Sequence, residues 1–330
     1  MPTPLPADWP IQYDDVLAAR ERLAPHLAPT ALRQYPQLDE LVGHGIRVSV
    51  KHENHHPTQS FKIRNGLNAI LGRTEEQRAR GVIGASTGNH GLGVSYGGRL
   101  TGTAVTICVP EGNNPAKNAA IKSLGAELVE VGATYDETVR ACGEMAKQRG
   151  LALLHSTNDP LVVAGAGTMT MEILEQAPEL DALIIALGGG SQSVGAMTVA
   201  SVRKPGLKVY AVGASAAPAQ YESWQQGVRL ENQPAKTFAE GIATGSAYTL
   251  TFEALRAGLA GFVTVSEEEM YAAVRDLIRI TRNLPEGAGA AGLAGLRKLA
   301  PELAGKRVGI VMCGGNLSDK DLSIAIGGTA

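Results

Sequence analysis

Short apolar runs alternate with longer amphipathic stretches along most of this chain. The runs are rich in β-branched residues and too short for helices, so they predict β-strands. They cover residues 46–50, 82–85, 104–109, 127–131, 183–187, 208–212 and 308–313. Helical periodicity lies between them, at residues 115–124, 134–149 and 267–281. This alternation predicts an α/β fold of βαβ units, in which open, mostly parallel, twisted sheets are flanked by helices on both faces.

The composition is that of a globular protein with little net charge. The chain has 330 residues, 44% of them hydrophobic and only 4% aromatic, and a net charge of -2. This balance argues against a nucleic-acid partner and against binding to an anionic membrane. Three cysteines without CxxC spacing make neither a disulfide scaffold nor a zinc site. No leader pattern and no apolar run of ~20 residues is present, so we expect a cytoplasmic protein with no membrane partner.

Candidate chemistry follows the predicted strands, because ligands of open α/β sheets bind at the carboxyl ends of the strands. Residues 57–66 read PTQSFKIRNG and place Lys62 in the first turn of a predicted helix. The positive helix end would lower the pKa of this lysine, as a Schiff-base amine requires. A lone lysine at such a position is also a common surface residue.

Three further segments follow strands. Residues 86–91, STGNHG, fit an anion-binding turn, and residues 188–193, GGGSQS, let the backbone close around a phosphate. The second segment is neither a dinucleotide fingerprint nor a Walker A loop. Cys313 precedes two glycines, and nothing nearby in the sequence favours a low-pKa thiolate. Each segment alone also fits an ordinary strand-to-helix turn, and their occurrence together is much more specific than any one of them.

In this order, the segments resemble those of the fold-type II pyridoxal-phosphate (PLP) enzymes, the tryptophan synthase β-like group. Within that group, the chain is similar to the threonine/serine dehydratase and serine racemase family. The motifs that carry the resemblance are KHENHHPTQSFKIRNG, ASTGNHG, GGGSQS, NLPEGAGAAGLAGL and MCGGN. The resemblance as a whole extends from about residue 13 to the last predicted strand and helix.

The resemblance implies a role for each matching residue. Lys62 would hold PLP and be the catalytic residue, Asn89 would hydrogen-bond its 3′-oxygen, and Cys313 would face its pyridine nitrogen. The other implied cofactor-binding residues are Phe61, Gly188, Gly189, Gly190, Ser191, Gly241 and Glu286. The implied substrate-binding residues are Ser86, Thr87, Gly88 and His90, to which we add the unusual Gln59.

The resemblance also implies β-elimination of an L-3-hydroxy amino acid to a 2-oxo acid and ammonia, with PLP as electron sink. The alternatives are an amino-acid racemase or another PLP reaction on the same scaffold, and a non-catalytic binding protein. Threonine, serine, 3-hydroxyaspartate and a bulkier substrate such as 3-phenylserine all stay open. Arg64 is the one arginine near the lysine in sequence, and the resemblance implies that it faces away from the pocket.

The chain departs from the family pattern at several positions. Gln59 and Asn65 stand where glycines are usual, and Ser191 replaces the fourth glycine of the phosphate loop. Thr87 stands where racemases carry a second serine, and its stiffer, bulkier side chain argues against racemisation. Residues 213–219 contain no carboxylate, so we expect no metal at the place where some family members bind a cation.

The resemblance further implies two domains and a homodimer. We expect a large PLP-binding domain from residues 1–74 and 155–330, and a small mobile domain from residues 75–154. PLP would lie in the cleft between them. Closure of the small domain on a small amino-acid substrate would then complete the site.

Overall fold

The computed structural model describes residues 5–327 of the chain. Its strands are β1 (Leu32–Gln34), β2 (Arg47–His52), β3 (Val82–Ala85), β4 (Val105–Val109), β5 (Glu127–Glu130), β6 (Ala152–Leu153), β7 (Ala182–Ala186), β8 (Lys208–Ala214), β9 (Gly261–Val265) and β10 (Arg307–Met312). Its helices are α1 (Tyr13–Leu23), α2 (Pro36–Val42), α3 (Lys62–Leu71), α4 (Glu75–Arg80), α5 (Asn89–Thr101), α6 (Pro115–Ser123), α7 (Tyr135–Arg149), α8 (Pro160–Gln176), α9 (Ser191–Arg203), α10 (Ala219–Gln226), α11 (Phe252–Gly258), α12 (Glu267–Thr281), α13 (Gly287–Leu299) and α14 (Asp319–Ile326).

Two sheets organise the fold. The six-stranded sheet has the order β1-β2-β10-β7-β8-β9, and the four-stranded sheet has the order β5-β4-β3-β6. Every strand pair is parallel except β1 with β2. The strands of the smaller sheet are consecutive in the chain, whereas the larger sheet takes strands from both ends. The predicted α/β architecture is therefore confirmed.

The two sheets have separate apolar cores. The largest core surrounds the six-stranded sheet and includes the interior strands β7 and β8, whose residues are almost all buried. The four-stranded sheet is covered on both faces. Val82 belongs to the cluster on one face and its neighbour Ile83 to the cluster on the other, because successive side chains of a strand point to opposite faces. Covered faces explain why these strands are apolar throughout.

The seven predicted strands and three predicted helices are all present, with ends that differ by at most two residues. The four-stranded sheet lies within residues 75–154, the segment that we expect to form the small domain. The boundaries of that domain and its mobility stay predictions. Residues 1–4 and 328–330 of the predicted large domain lie outside the described residues.

Helices α3 and α5 pack with their backbones in direct contact. A Cβ built at Gly93 would lie 2.3 Å from the Lys62 carbonyl oxygen, and one built at Gly66 would lie 2.5 Å from the Gly93 carbonyl carbon. Only glycine allows such an approach. The contact brings the start of α3, at Lys62, beside the start of α5, at Asn89.

Candidate active site

The chain that leads into helix α3 is held against the segment that follows β10. The amide of Phe61 donates to the carbonyl oxygen of Cys313 at 3.0 Å, and the amide of Gly315 donates to the carbonyl oxygen of Gln59 at 2.9 Å. These bonds fix the start of α3 next to Cys313. Lys62 is therefore positioned by backbone hydrogen bonds on one side and by the α3–α5 contact on the other.

Lys62 lies where two adjoining cavities meet, because it lines both of them. Its Nζ atom is 5.0 Å from the centroid of the Phe61 ring. Burial lowers the pKa of Lys62 to about 8 and outweighs the opposing effect of Glu286. The amine therefore loses its proton nearer to neutral pH than an exposed lysine does, as a nucleophile or general base must.

The inner cavity contains every residue that the sequence predicts to bind the cofactor. Its lining includes Phe61, Lys62, Asn89, Gly188, Gly189, Gly190, Ser191, Gly241, Glu286 and Cys313. These residues come from six separate parts of the chain. Neighbouring strands β7 and β10 end at the same edge of the sheet, which places the glycine loop and Cys313 side by side. Their roles toward PLP remain predictions, although the fold brings them together.

The glycine loop forms a cradle without side chains. A Cβ at Gly188 would lie 2.4 Å from the Gly241 carbonyl oxygen, and one at Gly189 would lie 2.0 Å from the Thr157 hydroxyl oxygen. The loop leads into the 13-residue helix α9, whose N-cap Gly190 provides no capping side chain. Among residues 5–327, the fully buried Ser193 hydroxyl in its first turn has no hydrogen-bond partner. These features fit a phosphate group, which free amides at a helix N-terminus bind.

Two of the departures from the family pattern contact each other. The Asn65 side-chain amide donates to the hydroxyl oxygen of Ser191 at 3.3 Å. Both side chains are buried, and within the described chain the other amide atom of Asn65, Oδ1, has no partner. The two unusual residues thus form one polar contact between α3 and the phosphate loop.

A polar network crosses the mouth of the inner cavity. The side-chain amide of Asn89 donates to both carboxylate oxygens of Glu286, at 2.7 and 3.0 Å. Burial raises the pKa of Glu286, and the Asn89 hydrogen bond opposes that shift. Burial also raises the pKa of the Cys313 thiol, so this thiol is neutral at physiological pH.

The turn at residues 86–90 lines the outer cavity, as the predicted substrate-binding role requires. The Ser86 hydroxyl oxygen, however, accepts the amides of Gly88 and Gly91, at 3.2 and 2.9 Å. It therefore shapes its own turn. Burial lowers the pKa of His90 to about 3, which leaves its imidazole neutral. Thr87 is only partly buried and lines the outer cavity.

Gln59 is the predicted substrate-binding residue that the structure does not bring to the site. It is exposed and lines neither cavity. Its backbone adopts φ 52°, the left-handed region that favours glycine. This conformation explains why a glycine is the usual family residue at the position.

Arg64 does face away from the cavities. It is fully buried and bonded to Glu53 and Glu172. The resemblance therefore implied the correct orientation, and Arg64 is not available to a substrate.

The outer cavity has a volume of about 960 Å³. Part of its wall is formed by residues that the sequence patterns did not predict. The additional lining residues include Lys117, Tyr135, Val139, Arg140, His155, Arg229 and Tyr248. They lie on several elements and share no motif. Lys117 pairs with Glu240, and Arg229 pairs with Glu231. The one hint of this wall in the sequence was Glu240, which is next to the predicted cofactor-binding residue Gly241.

Comparison with known proteins identifies the family. Residues 23–314 match the family described as "Pyridoxal-phosphate dependent enzyme". The chain is 34% identical over 317 residues to L-threonine ammonia-lyase from Geobacter sulfurreducens, covering 96% of this chain and 78% of that protein. It is 30% identical over 316 residues to L-threo-3-hydroxyaspartate ammonia-lyase from Saccharomyces cerevisiae, covering 96% of each. The crystal structure of serine racemase from Dictyostelium discoideum matches with a TM-score of 0.87 at 29% identity, over 94% of this chain and 99% of that one.

Residues 5–327 contain no group of three or more His, Cys, Asp or Glu side chains that could hold a metal ion. No helix in the described part of the chain is both long and apolar enough to span a bilayer.

The inner cavity fits PLP, and the named relatives support a PLP-dependent ammonia-lyase activity. The predicted cofactor and the predicted fold are both confirmed. The chain belongs to the family of pyridoxal-phosphate dependent enzymes and has the two-sheet architecture of the fold-type II members.

Proposed function

We propose that this enzyme removes the β-hydroxyl group of an L-3-hydroxy amino acid by elimination and yields a 2-oxo acid and ammonia. The observation that carries the proposal is Lys62, whose partly buried amine lies at the junction of the phosphate-fitting cavity and the outer cavity. Water leaves in the elimination and is taken up again in the hydrolysis that frees ammonia, so the atoms balance. Two of the relatives bear ammonia-lyase names, which supports the same reaction class.

In this proposal, each part of the site has a separate role. Bound PLP supplies the electron sink for the charge that develops at the substrate Cα. Lys62 removes the Cα proton, which a lysine with a lowered pKa can do. The backbone and hydroxyl groups of residues 86–90 hold the substrate carboxylate near the start of α5. The neutral thiol of Cys313 does not enforce protonation of the cofactor ring, which favours elimination over transamination.

Racemisation is the second candidate, because a serine racemase shares the fold. A racemase needs an acid on the face of the substrate opposite to the lysine. Thr87 is the hydroxyl side chain that the turn at residues 86–90 offers to the cavity, and its branched Cβ restricts χ1. We therefore expect elimination to dominate.

The charges of the outer cavity favour a substrate with a neutral side chain. Two of its cations, Lys117 and Arg229, already pair with carboxylates. Arg140 is exposed, and Asp136, one helical turn away on α7, lines the same cavity. Such an arginine would bind a second substrate carboxylate weakly, because water screens its charge. Size does not exclude a bulky substituent, since the cavity of about 960 Å³ exceeds what threonine needs.

The test is 2-oxo acid release from L-serine, L-threonine, L-threo-3-hydroxyaspartate and L-3-phenylserine, with chiral analysis of the remaining amino acid. We expect release from the neutral substrates, little from hydroxyaspartate, and no D-isomer. The Lys62→Ala variant should release none, while Lys122→Ala, at an exposed lysine outside both cavities, should match the wild type. Accumulation of the D-isomer without 2-oxo acid would show that the enzyme catalyses racemisation and not elimination.

A further inference from the structure

Asn316 follows β10 and lies between two parts of the site that are distant in sequence. Its side-chain nitrogen Nδ2 is 3.0 Å from the Thr58 carbonyl oxygen and 2.7 Å from Oδ1 of Asn89. Thr58 belongs to the segment that leads to Lys62, and Asn89 begins helix α5. One amide group thus joins three elements that meet at the cavities.

The contact to Thr58 determines which way the Asn316 amide faces. The oxygen and nitrogen of an asparagine side chain look alike, so their assignment must come from the surrounding hydrogen bonds. A backbone carbonyl can only accept, so the Asn316 atom beside Thr58 must be the NH₂ group. The second proton of that group is then directed to Asn89.

The orientation of the Asn89 amide is determined in the same way. Because Asn316 donates to it, the Asn89 atom on that side must be the acceptor Oδ1. The NH₂ group of Asn89 therefore faces Glu286, whose carboxylate accepts at 2.7 and 3.0 Å. Every donor in the chain from Thr58 to Glu286 meets an acceptor. A reversed Asn89 amide would place two NH₂ groups together at Asn316 and two oxygens together at Glu286.

Backbone packing keeps this arrangement in place. A Cβ at Gly314 would lie 2.4 Å from a Glu286 carboxylate oxygen and 3.3 Å from the Asn89 nitrogen. The amide of Glu286 donates to the Gly314 carbonyl oxygen at 3.0 Å. The segment that carries Asn316 is therefore pressed against both Asn89 and Glu286.

We propose that Asn316 is a positioning residue that fixes the orientation of the Asn89 side chain, so that its NH₂ group and not its oxygen faces the cofactor cavity. The inference rests on the proposed role of Asn89 as a donor to PLP. Asn316 itself lines neither cavity and acts only through Asn89. An acceptor at position 316 would reverse the Asn89 amide, whereas a small apolar residue would only loosen it.

The test compares Asn316→Asp, Asn316→Ala and the control Asn68→Ala in purified holoenzyme. Asn68 is a buried asparagine on α3 that donates to the Leu161 carbonyl oxygen at 2.7 Å and lines neither cavity. The readouts are the visible absorption maximum of enzyme-bound PLP, the dissociation constant for PLP after resolution to apoenzyme, and the thermal midpoint of each apoenzyme.

We expect Asn316→Asp to shift the absorption maximum and to weaken PLP binding by at least tenfold, with a smaller change for Asn316→Ala. Asn68→Ala should lower the thermal midpoint but keep the wild-type spectrum and affinity. A wild-type spectrum and a dissociation constant within twofold for Asn316→Asp would overturn the inference. So would equal effects of the two Asn316 variants, because a merely structural role predicts them. If the wild type binds PLP but releases no 2-oxo acid, the proposed reaction fails, and the order of PLP affinities still decides the role of Asn316.

Discussion

A buried cluster of four charges lies on the far side of helix α3 from the cavities. Arg64 donates to Glu53 at 2.7 and 2.9 Å and to Glu172 at 2.6 and 2.8 Å, and Lys51 donates to Glu172 at 2.7 Å. Two cations thus balance two carboxylates, and the arginine satisfies both carboxylates at once. The cluster ties β2 and α8 to the helix that begins with Lys62.

Replacing Arg64 with methionine tests this structural account. The change keeps most of the side-chain volume but removes the cation that the two buried carboxylates share, leaving Lys51 bonded to Glu172 and His56 bonded to Glu53. Breaking a buried ion pair from one side costs about 3–5 kcal/mol, so we expect the free energy of unfolding to fall by that amount. Arg64→Lys keeps the charge but loses the paired geometry, so its free energy of unfolding should lie between those of the wild type and Arg64→Met.

A surface arginine provides the matched control. Arg20 pairs with Glu175, and their side chains are 42% and 35% exposed. Arg20→Met should therefore cost about 0–1 kcal/mol. Urea unfolding followed by tryptophan fluorescence measures both, because Trp9 and Trp224 belong to or pack against the core of the six-stranded sheet.

The difference in the free energy of unfolding between the wild type and Arg64→Met should depend on pH, with a sign that follows from the pKa of Glu53. Burial tends to raise the pKa of Glu53, but the charges and hydrogen bonds of Arg64 and His56 outweigh it and hold this pKa well below its usual value. A depressed pKa stabilises the fold above the unfolded-state pKa, and this stabilisation is lost as pH falls through the folded-state pKa. In Arg64→Met, the charge and hydrogen bonds of Arg64 no longer oppose burial, so we expect the pKa of Glu53 to rise. Glu53 should then destabilise the fold near pH 7 and do so less as the pH falls. The gap between the two proteins should narrow from pH 7 to pH 5. A loss under about 1 kcal/mol at pH 7, or a gap that widens at pH 5, would refute the reasoning.

Two further predictions follow from single residues. Gln59→Gly should raise the free energy of unfolding by about 1 kcal/mol, because glycine adopts the left-handed backbone without strain, and turnover should not change. Gln59→Ala should not raise the free energy of unfolding. Thermal unfolding measures the stability of each variant, and a standard activity assay measures its turnover. Because burial lowers the pKa of Lys62 to about 8, the rate of PLP uptake by apoenzyme should rise with a midpoint near pH 8. A stopped-flow pH series that shows a midpoint near pH 10 would contradict the burial of Lys62.

The central strands and the inner cavity could be predicted from the sequence because their signals are local. Apolar runs marked the strands covered on both faces, and glycines marked the places where the backbone approaches another group closely. Three strands gave no such signal. β1 reads LRQ, β6 has two residues, and β9 is only partly buried. Edge positions and short lengths remove the apolar pattern on which the prediction depends.

The remainder of the site could not be predicted because it depends on how distant elements meet. Tyr135 and Tyr248 share the outer cavity although 113 positions separate them in the sequence. Closeness in sequence was also misleading, since Gln59 is three residues from Lys62 but turns away at a positive φ. The role of Asn316 depends on hydrogen-bond directions that only atomic positions reveal.

The most direct test of the central claim, that Lys62 holds the cofactor and carries the reaction, is borohydride reduction of the holoenzyme followed by peptide mass mapping. Reduction fixes PLP to the lysine that holds it. We predict one modified peptide, with the modification at Lys62, and complete loss of 2-oxo acid release in the same sample. Modification of a different lysine, or full activity after Lys62 has been modified, would contradict the account.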